Sequence, residues 1–449
     1  MMQHGGDIYR NKVDIDFSVN VNPLGPPKSV MEAAREAVIQ CDVYPDLAAE
    51  ALKKGLAKVH GVQAEQILCG NGASEIFMAV MHAIRPKRVL LPIPSFSGYQ
   101  WVMQAVGAET VFYKMKEEYG YQLDDGILEV LKEDRKFEES KDDETSGSIN
   151  MLILANPNNP VGNYIDCNLL TRILDNCEKQ GIWVLLDECF MELSTNPDKH
   201  SRIQDLKYRN RLLIVRAFTK SFAIPALRLG YLLGPAEGAN DRGGIEKNIK
   251  LGRLTNSQGS VSVLGEIKND ITPGKMTDFQ GVMSVRNGSR EDIVHLSVME
   301  KIQRQLPEWN VSLPAQQAGL AALGEEKYLW EARQLICEER KYLREQLSKL
   351  SIRVYPSETN YLFFYIESQT EEDKNNFVVN YAAGGALDQE LLKCGILIRS
   401  CRDYPGLGEG YFRIAVRTHG DNETLVKTLY KILKHQPFRS GAVYFVNDI

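Results

Sequence analysis

Short apolar runs alternate with amphipathic stretches through the middle of the chain. Gln66-Ile67-Leu68-Cys69, Arg88-Val89-Leu90-Leu91, Thr110-Val111-Phe112-Tyr113, Met151-Leu152-Ile153-Leu154, Trp183-Val184-Leu185-Leu186 and Leu212-Leu213-Ile214-Val215 read as strands. Their unbroken apolar character suits strands covered on both faces. Between them, Ser74 to Ala83 and Asn168 to Gln180 follow a helical pattern. Strand–helix alternation predicts an α/β domain on a largely parallel sheet.

The texture changes after Gly319. A long charged helix is expected from about Glu326 to Leu350. Strand-like pieces follow at Asn360 to Ile366, Gly395 to Ile398 and Tyr411 to Val416, with a tight turn at Tyr404-Pro405-Gly406, and a last helix runs from about Asn422 to His435. This predicts a smaller α+β domain over 319–449. Residues 1–44 precede the alternating region and are expected to join the small domain, leaving 45–318 as the large domain. A chain of 449 residues is long enough for such a division. One stretch breaks the pattern: residues 235–292 hold nine glycines and a single aromatic, Phe279, and read as a polar surface insertion.

Charge and composition narrow the function classes. The net charge is −6, so no global basic field draws nucleic acid. No run of eighteen apolar residues occurs, which predicts no membrane span. The start, Met1-Met2-Gln3-His4-Gly5-Gly6, lacks the charged and apolar stretches of a signal peptide. Eight scattered cysteines form no C-x-x-C pair and no zinc spacing, so reduced thiols in a cytoplasmic protein, and no metal, are expected.

Four spots fall just beyond predicted strands: Asn156-Pro157-Asn158-Asn159-Pro160-Val161-Gly162, Asp187-Glu188, Thr219-Lys220, and Arg228 eight residues later. Ligands of open α/β sheets bind beyond the carboxyl ends of the strands. A lone lysine there reads as a solvated surface residue; its company changes that. Pyridoxal phosphate (PLP) chemistry needs an amine for the aldehyde, a carboxylate for the ring nitrogen, and an anion cradle for the phosphate. Lys220, Asp187 and the set Gly72, Ala73, Ser74, Thr219 and Arg228 supply one of each. In Gly70-Asn71-Gly72-Ala73-Ser74-Glu75 the glycines permit close backbone approach, and the following helix start offers free N–H groups. Asp187 ends an apolar strand, where a carboxylate is costly unless paired; capping of the next helix is the plainer role for it.

Asn159-Pro160-x-Gly162, Asp187, Thr219-Lys220 and Arg228-Leu229-Gly230-Tyr231 resemble fold-type I PLP enzymes, the aspartate-aminotransferase superfamily. Within it, His4-Gly5-Gly6, Asp16 to Gly25, Tyr44-Pro45-Asp46, Ile396 to Cys401, Tyr404 to Leu407 and Tyr411 to Arg417 are most similar to the threonine-phosphate decarboxylase family of cobalamin biosynthesis, a neighbour of histidinol-phosphate aminotransferases. The resemblance covers about residues 4–234 and 298–435. It implies a large PLP-binding domain with a mostly parallel sheet of the seven-stranded type, and a small α+β domain from both termini. It further implies that Lys220 holds PLP as a Schiff base, Asp187 faces the ring nitrogen, Asn159 the phenolic oxygen and Phe96 the ring face. Gly72, Ala73, Ser74, Thr219 and Arg228 would hold the phosphate, joined by Tyr44 from a partner subunit of a homodimer. His4, Gly5, Asn20, Asn159, Arg399 and Arg413 would bind a small phosphorylated amino-acid substrate, Arg413 through its carboxylate.

Two positions depart from many relatives. Phe190 stands where a tyrosine hydroxyl often reaches the phenolic oxygen, and Ala217 where a serine often meets the phosphate. The activity implied is decarboxylation of O-phospho-L-threonine to (R)-1-aminopropan-2-yl phosphate, with O-phospho-L-serine as a near substitute. An aminotransferase of the histidinol-phosphate type is the alternative. A non-catalytic PLP-binding regulator would need a DNA-binding segment, and no helix-turn-helix pattern precedes residue 40.

Overall fold

In the chain's computed structural model, residues 5–139, 148–236, 296–366 and 387–434 are described. His4, and residues 237–292 of the polar insertion, lie outside the described residues. A short strand, β1 (Ile15–Asp16), comes first. The main sheet is then built from β2 (Ile67–Gly70), β3 (Arg88–Ile93), β4 (Glu109–Lys114), β5 (Met151–Ala155), β6 (Trp183–Asp187), β7 (Leu212–Ala217) and β8 (Gly230–Leu233). The order across the sheet is β2-β8-β7-β6-β5-β3-β4, with β8 antiparallel to both neighbours and the other pairings parallel. Six of these strands were legible as apolar runs. The seventh, β8, was hidden because Gly230 and Tyr231 interrupt its apolar character and its antiparallel direction needs no helical crossover.

The apolar runs divide by alternation. Leu90, Leu152, Leu154, Val184, Leu186, Leu212 and Ile214 pack into one core, and Val89, Leu91, Met151, Ile153, Leu185, Leu213 and Val215 into another on the opposite face. Period-2 geometry sends successive side chains to opposite faces, so a strand covered on both sides must be apolar throughout. Helices Ala73–Ile84 and Cys167–Gln180 flank the sheet and match their expected positions to within a residue.

A second sheet holds β9 (Arg353–Val354), β10 (Tyr361–Tyr365), β12 (Arg399–Ser400) and β13 (Tyr411–Ala415), in the order β12-β13-β10-β9. The expected strand at 395–398 is shorter, β11 (Ile396–Leu397), and pairs in parallel with β1; β12, just after it, joins the second sheet. The β1–β11 pairing ties the N-terminal segment to the C-terminal part. Phe17, Leu343, Leu347, Phe364, Phe412, Ile414 and Leu425 form a separate core there. Helix Glu326–Lys349 supplies two of these leucines and helix His419–Lys434 a third. The described residues of 1–240 and 298–449 belong to one compact unit. All eight cysteines are free, as expected; Cys69, Cys177, Cys189 and Cys401 are buried, whereas Cys41 and Cys337 are exposed. Among the described residues, no helix is long and apolar enough to cross a membrane.

Candidate active site

The carboxyl ends of β5, β6 and β7 open into a cavity of about 390 Å³. Volumes of this size hold small ligands. Gly5, Asn20, Ala73, Ser74, Phe96, Asn159, Asp187, Thr219, Lys220, Arg228, Arg399 and Arg413 all line it. Residues as far apart in sequence as Gly5 and Arg413 therefore meet at one place, as the motif reading expected. Gly72 stands next to the cavity as the residue before helix Ala73–Ile84. Tyr44 is elsewhere: it is exposed, with its ring 4.9 Å from that of Trp309.

Lys220 sits in a single helical turn, Phe218–Ser221, directly after β7. Its amine makes no hydrogen bond or ion pair among the described residues. Burial first, and then the guanidinium groups of Arg413 and Arg228, push its pKa down to about 8. Both effects disfavour the ammonium form. A larger share of Lys220 is thus the neutral, nucleophilic amine at neutral pH than of a free lysine.

Asp187 is the last residue of β6. Tyr99 Oη donates to its Oδ2 at 2.5 Å, and the Cys189 backbone N–H donates to Oδ1 at 2.9 Å. The Cys189 bond closes a turn and is not the expected helix cap: the next helix, Met191–Leu193, follows Phe190 and has no side-chain cap. Burial pushes the Asp187 carboxyl above the usual carboxylate range, against the hydrogen bonds from Cys189 and Tyr99. A cation placed beside it would reverse that shift. The next residue points elsewhere. Glu188 is buried and accepts from Arg216 Nη2 at 2.7 Å and Nε at 3.1 Å, from Ser201 Oγ at 2.9 Å and from the Arg202 N–H at 2.7 Å. Breaking such a pair from one side costs about 3–5 kcal/mol. The Glu188–Arg216 clamp thus ties the residue directly after Asp187 to β7, four residues before Lys220.

The anion cradle has the elements expected of it. Gly72 has φ +78°, and no side chain caps the helix that follows. A Cβ at Gly72 would fall 3.0 Å from the Arg228 Cζ, so only glycine lets the guanidinium lie there. Arg228 itself has a left-handed backbone, φ +56°, and no carboxylate partner among the described residues. A free cation beside uncapped helical N–H groups is an anion site.

The opposite wall comes from β12, β13 and the segment after β1. Arg413 is 6 % exposed; its Nη1 donates to Asn159 Oδ1 at 2.7 Å and its Nη2 to the Ser18 carbonyl at 2.8 Å. With its oxygen facing Arg413, the Asn20 amide accepts from Nε and Nη1 at 3.2 Å. No carboxylate pairs with Arg413 among the described residues. Arg399 differs. Its Nη2 donates to both oxygens of Asp403, at 2.8 and 2.9 Å, so this cation already has a counter-ion.

The sequence reading missed Tyr99. Its buried ring stands edge-on to Phe96, at 5.5 Å and 87°, while its hydroxyl holds Asp187. The Phe96-x-x-Tyr99 spacing at the start of helix Gly98–Ala105 was the available signal, but nothing in sequence places Asp187 beside it. Phe190 packs edge-on against Tyr361, 5.0 Å away, and offers no hydroxyl, as its side chain requires.

The aminotransferase class I and II family model matches residues 12–429. The chain belongs to this family. The threonine-phosphate decarboxylase of Salmonella typhimurium is 29 % identical over 420 residues, covering 93 % of this chain and 91 % of the relative. The histidinol-phosphate aminotransferase of Methanosarcina mazei is 26 % identical, covering 92 % and 86 %. Among solved structures, the histidinol-phosphate aminotransferase of Clostridium acetobutylicum has a TM-score of 0.69 at 24 % identity, covering 93 % of this chain and 98 % of that one. The L-threonine-O-3-phosphate decarboxylase of Porphyromonas gingivalis has a TM-score of 0.65 at 20 % identity, covering 93 % and 99 %. These structures share the α/β fold with its mostly parallel seven-stranded sheet.

As a class I and II family member, the protein takes pyridoxal 5′-phosphate as its cofactor. The donor set fits that group: an unpartnered amine on Lys220, a carboxylate on Asp187, and the Gly72–Ser74 helix start with Arg228. The lysine value makes a pH prediction. Only the neutral amine attacks an aldehyde, so capture of the cofactor by the apoenzyme accelerates about tenfold per pH unit below pH 8 and levels off above it. Stopped-flow absorbance of cofactor binding reads this, and a rate independent of pH would contradict it.

Proposed function

We propose that the protein decarboxylates O-phospho-L-threonine to (R)-1-aminopropan-2-yl phosphate, accepting O-phospho-L-serine as a near substitute. The observation that carries this reading is Arg413, a buried guanidinium with no carboxylate partner among the described residues, facing the same cavity as Lys220. An α-carboxylate supplies the missing counter-charge through a planar, two-point contact, taking over the Nε–Nη1 edge that the Asn20 amide occupies. Histidinol phosphate has no carboxylate, so in the aminotransferase alternative this cation would be paired only by the glutamate or 2-oxoglutarate co-substrate. The similarity to threonine-phosphate decarboxylases supports the same choice.

When bound, PLP supplies an aldehyde that condenses with amines and a protonated ring that accepts an electron pair. The chain's own residues do the rest. Asp187, held by Tyr99 and Cys189, keeps a negative charge for the ring nitrogen. Ala73, Ser74, Thr219 and Arg228 hold the cofactor phosphate. Arg413, Asn20 and Asn159 orient the substrate carboxylate, and Arg399 with Gly5 forms the end that meets the substrate phosphate. Lys220, which takes a proton from the incoming substrate's ammonium group, delivers it as its own ammonium to Cα once carbon dioxide has left. In this reading the enzyme works in the cytoplasm as a homodimer, with exposed Tyr44 reaching the partner's cofactor phosphate; sedimentation of the holoenzyme checks the subunit number.

A substrate panel tests the assignment. Phosphothreonine is expected to release carbon dioxide, phosphoserine to do so within about 10–200-fold, because one methyl group discriminates no more than that. Glutamate formation from 2-oxoglutarate with histidinol phosphate as donor, without carbon dioxide release from phosphothreonine, would replace this reading by the aminotransferase one, whose relatives are nearly as similar.

A further inference from the structure

The cavity that holds Lys220 does not end at the substrate side. A larger one, about 900 Å³, continues beyond it and is lined by Gly5, Gly6, Arg10, Asp388, Ser400 and Arg402 among others. Gly5, Ser18 and Arg399 border both. The partition between the two spaces is therefore thin, and part of it is the backbone of the N-terminal segment.

One side chain holds that segment. Ser18 is 1 % exposed, and both roles of its hydroxyl are filled. Ser18 Oγ donates to Asp16 Oδ1 at 2.6 Å and accepts the Gly6 backbone N–H at 2.7 Å. Its own N–H donates to the same carboxylate oxygen at 2.7 Å, so the hydroxyl is anchored from behind. Its carbonyl receives Arg413 Nη2. The fit to Gly5 is close: a Cβ there would stand 2.5 Å from the Ser18 carbonyl oxygen and 2.9 Å from Oγ. Asp16 itself is fixed by the β1–β11 pairing.

We propose that Ser18 is a positioning residue whose hydroxyl latches Gly5-Gly6 across the boundary of the two cavities, making that segment the wall against the far end of the substrate. This rests on the reading of the site as one for a phosphorylated amino acid. Through its carbonyl the same residue sets Arg413, so one residue spaces the carboxylate contact from the distal wall. The distance between those two points is what selects side-chain length. A fitted wall discriminates one methylene by about 10–200-fold.

The test pairs two measurements on the holoenzyme of Ser18→Ala, with Gly5→Ala as an independent lesion of the same contact. Amide hydrogen exchange over residues 5–11, with no substrate present, is expected to rise in Ser18→Ala, because Gly6 loses its acceptor. Steady-state kinetics are expected to show KM for phosphothreonine raised on the order of tenfold, more than kcat is lowered. The preference over the one-methylene-longer O-phosphohomoserine should fall toward unity in both variants. Unchanged exchange in Ser18→Ala overturns the latch. Raised exchange with unaltered KM and length preference overturns the wall. If wild type does not turn over phosphothreonine, the substrate reading fails, while the exchange result still decides the latch.

Discussion

Lys220→Ala is expected to lower turnover by about 10⁴-fold, the upper end of what a positioned acid–base group supplies, and to abolish the absorbance of lysine-bound cofactor. The size follows from two roles converging on one nitrogen. Lys220 Nζ is the unpartnered amine at the end of β7, and it is the group in the cavity able to return a proton to Cα. Methylamine added to the variant should restore part of the rate, since a small free amine fits the space left and can carry the proton. Asp187, Thr219 and Arg228 are untouched by the change, so the cofactor still binds, though without its covalent link. Equilibrium dialysis of cofactor against the variant separates loss of chemistry from loss of binding. A variant that keeps near-native turnover would refute every catalytic reading of this site.

The fold was legible where physics leaves a periodic trace. Strands covered on both faces must be continuously apolar, and six of the seven in the main sheet were readable for that reason. Strand β8 was not, since its glycine and tyrosine answer to neighbours: a Cβ at Gly230 would lie 2.8 Å from the Ala73 nitrogen, a constraint invisible in sequence. Likewise 395–398 reads as a strand of the small domain, but its pairing with β1, while the adjacent Arg399–Ser400 joins the second sheet, is a tertiary choice. The site was legible through residue types at fixed chemical jobs, and Lys220, Asp187, Asn159, Thr219, Arg228 and Arg413 do meet in one cavity. Tyr99 and Ser18 escaped because each acts on another side chain rather than on a ligand. Arg399 shows the reverse limit: its place in the cavity was foreseen, but its neutralisation by Asp403 four residues on was not. That pairing weakens Arg399 as an anion receptor and shifts weight onto Arg413.

Arg413→Gln should therefore be the most informative change outside the lysine. Glutamine keeps hydrogen-bonding groups for Asn159 and the Ser18 carbonyl but removes the charge. A charge-assisted hydrogen bond contributes about 1.5–3 kcal/mol, and two of them to one carboxylate amount to roughly 3–4 kcal/mol after imperfect additivity. At about 1.36 kcal/mol per tenfold, kcat/KM for phosphothreonine should fall by roughly 10²–10³-fold. Lysine at this position should restore little, because a point charge cannot reproduce the planar fork. A second readout needs no substrate. Arg413 is the cation that lowers the Lys220 pKa most, so its removal makes the ammonium easier to keep. The pH midpoint of cofactor capture should then move upward from about 8, whereas a purely structural lesion would leave it in place. If the variant impairs the single-turnover reaction of histidinol phosphate alone, with no 2-oxoglutarate present, as severely as phosphothreonine, Arg413 is not reading a carboxylate, since histidinol phosphate has none. That outcome would assign the guanidinium to the substrate phosphate and turn the balance toward amino-group transfer.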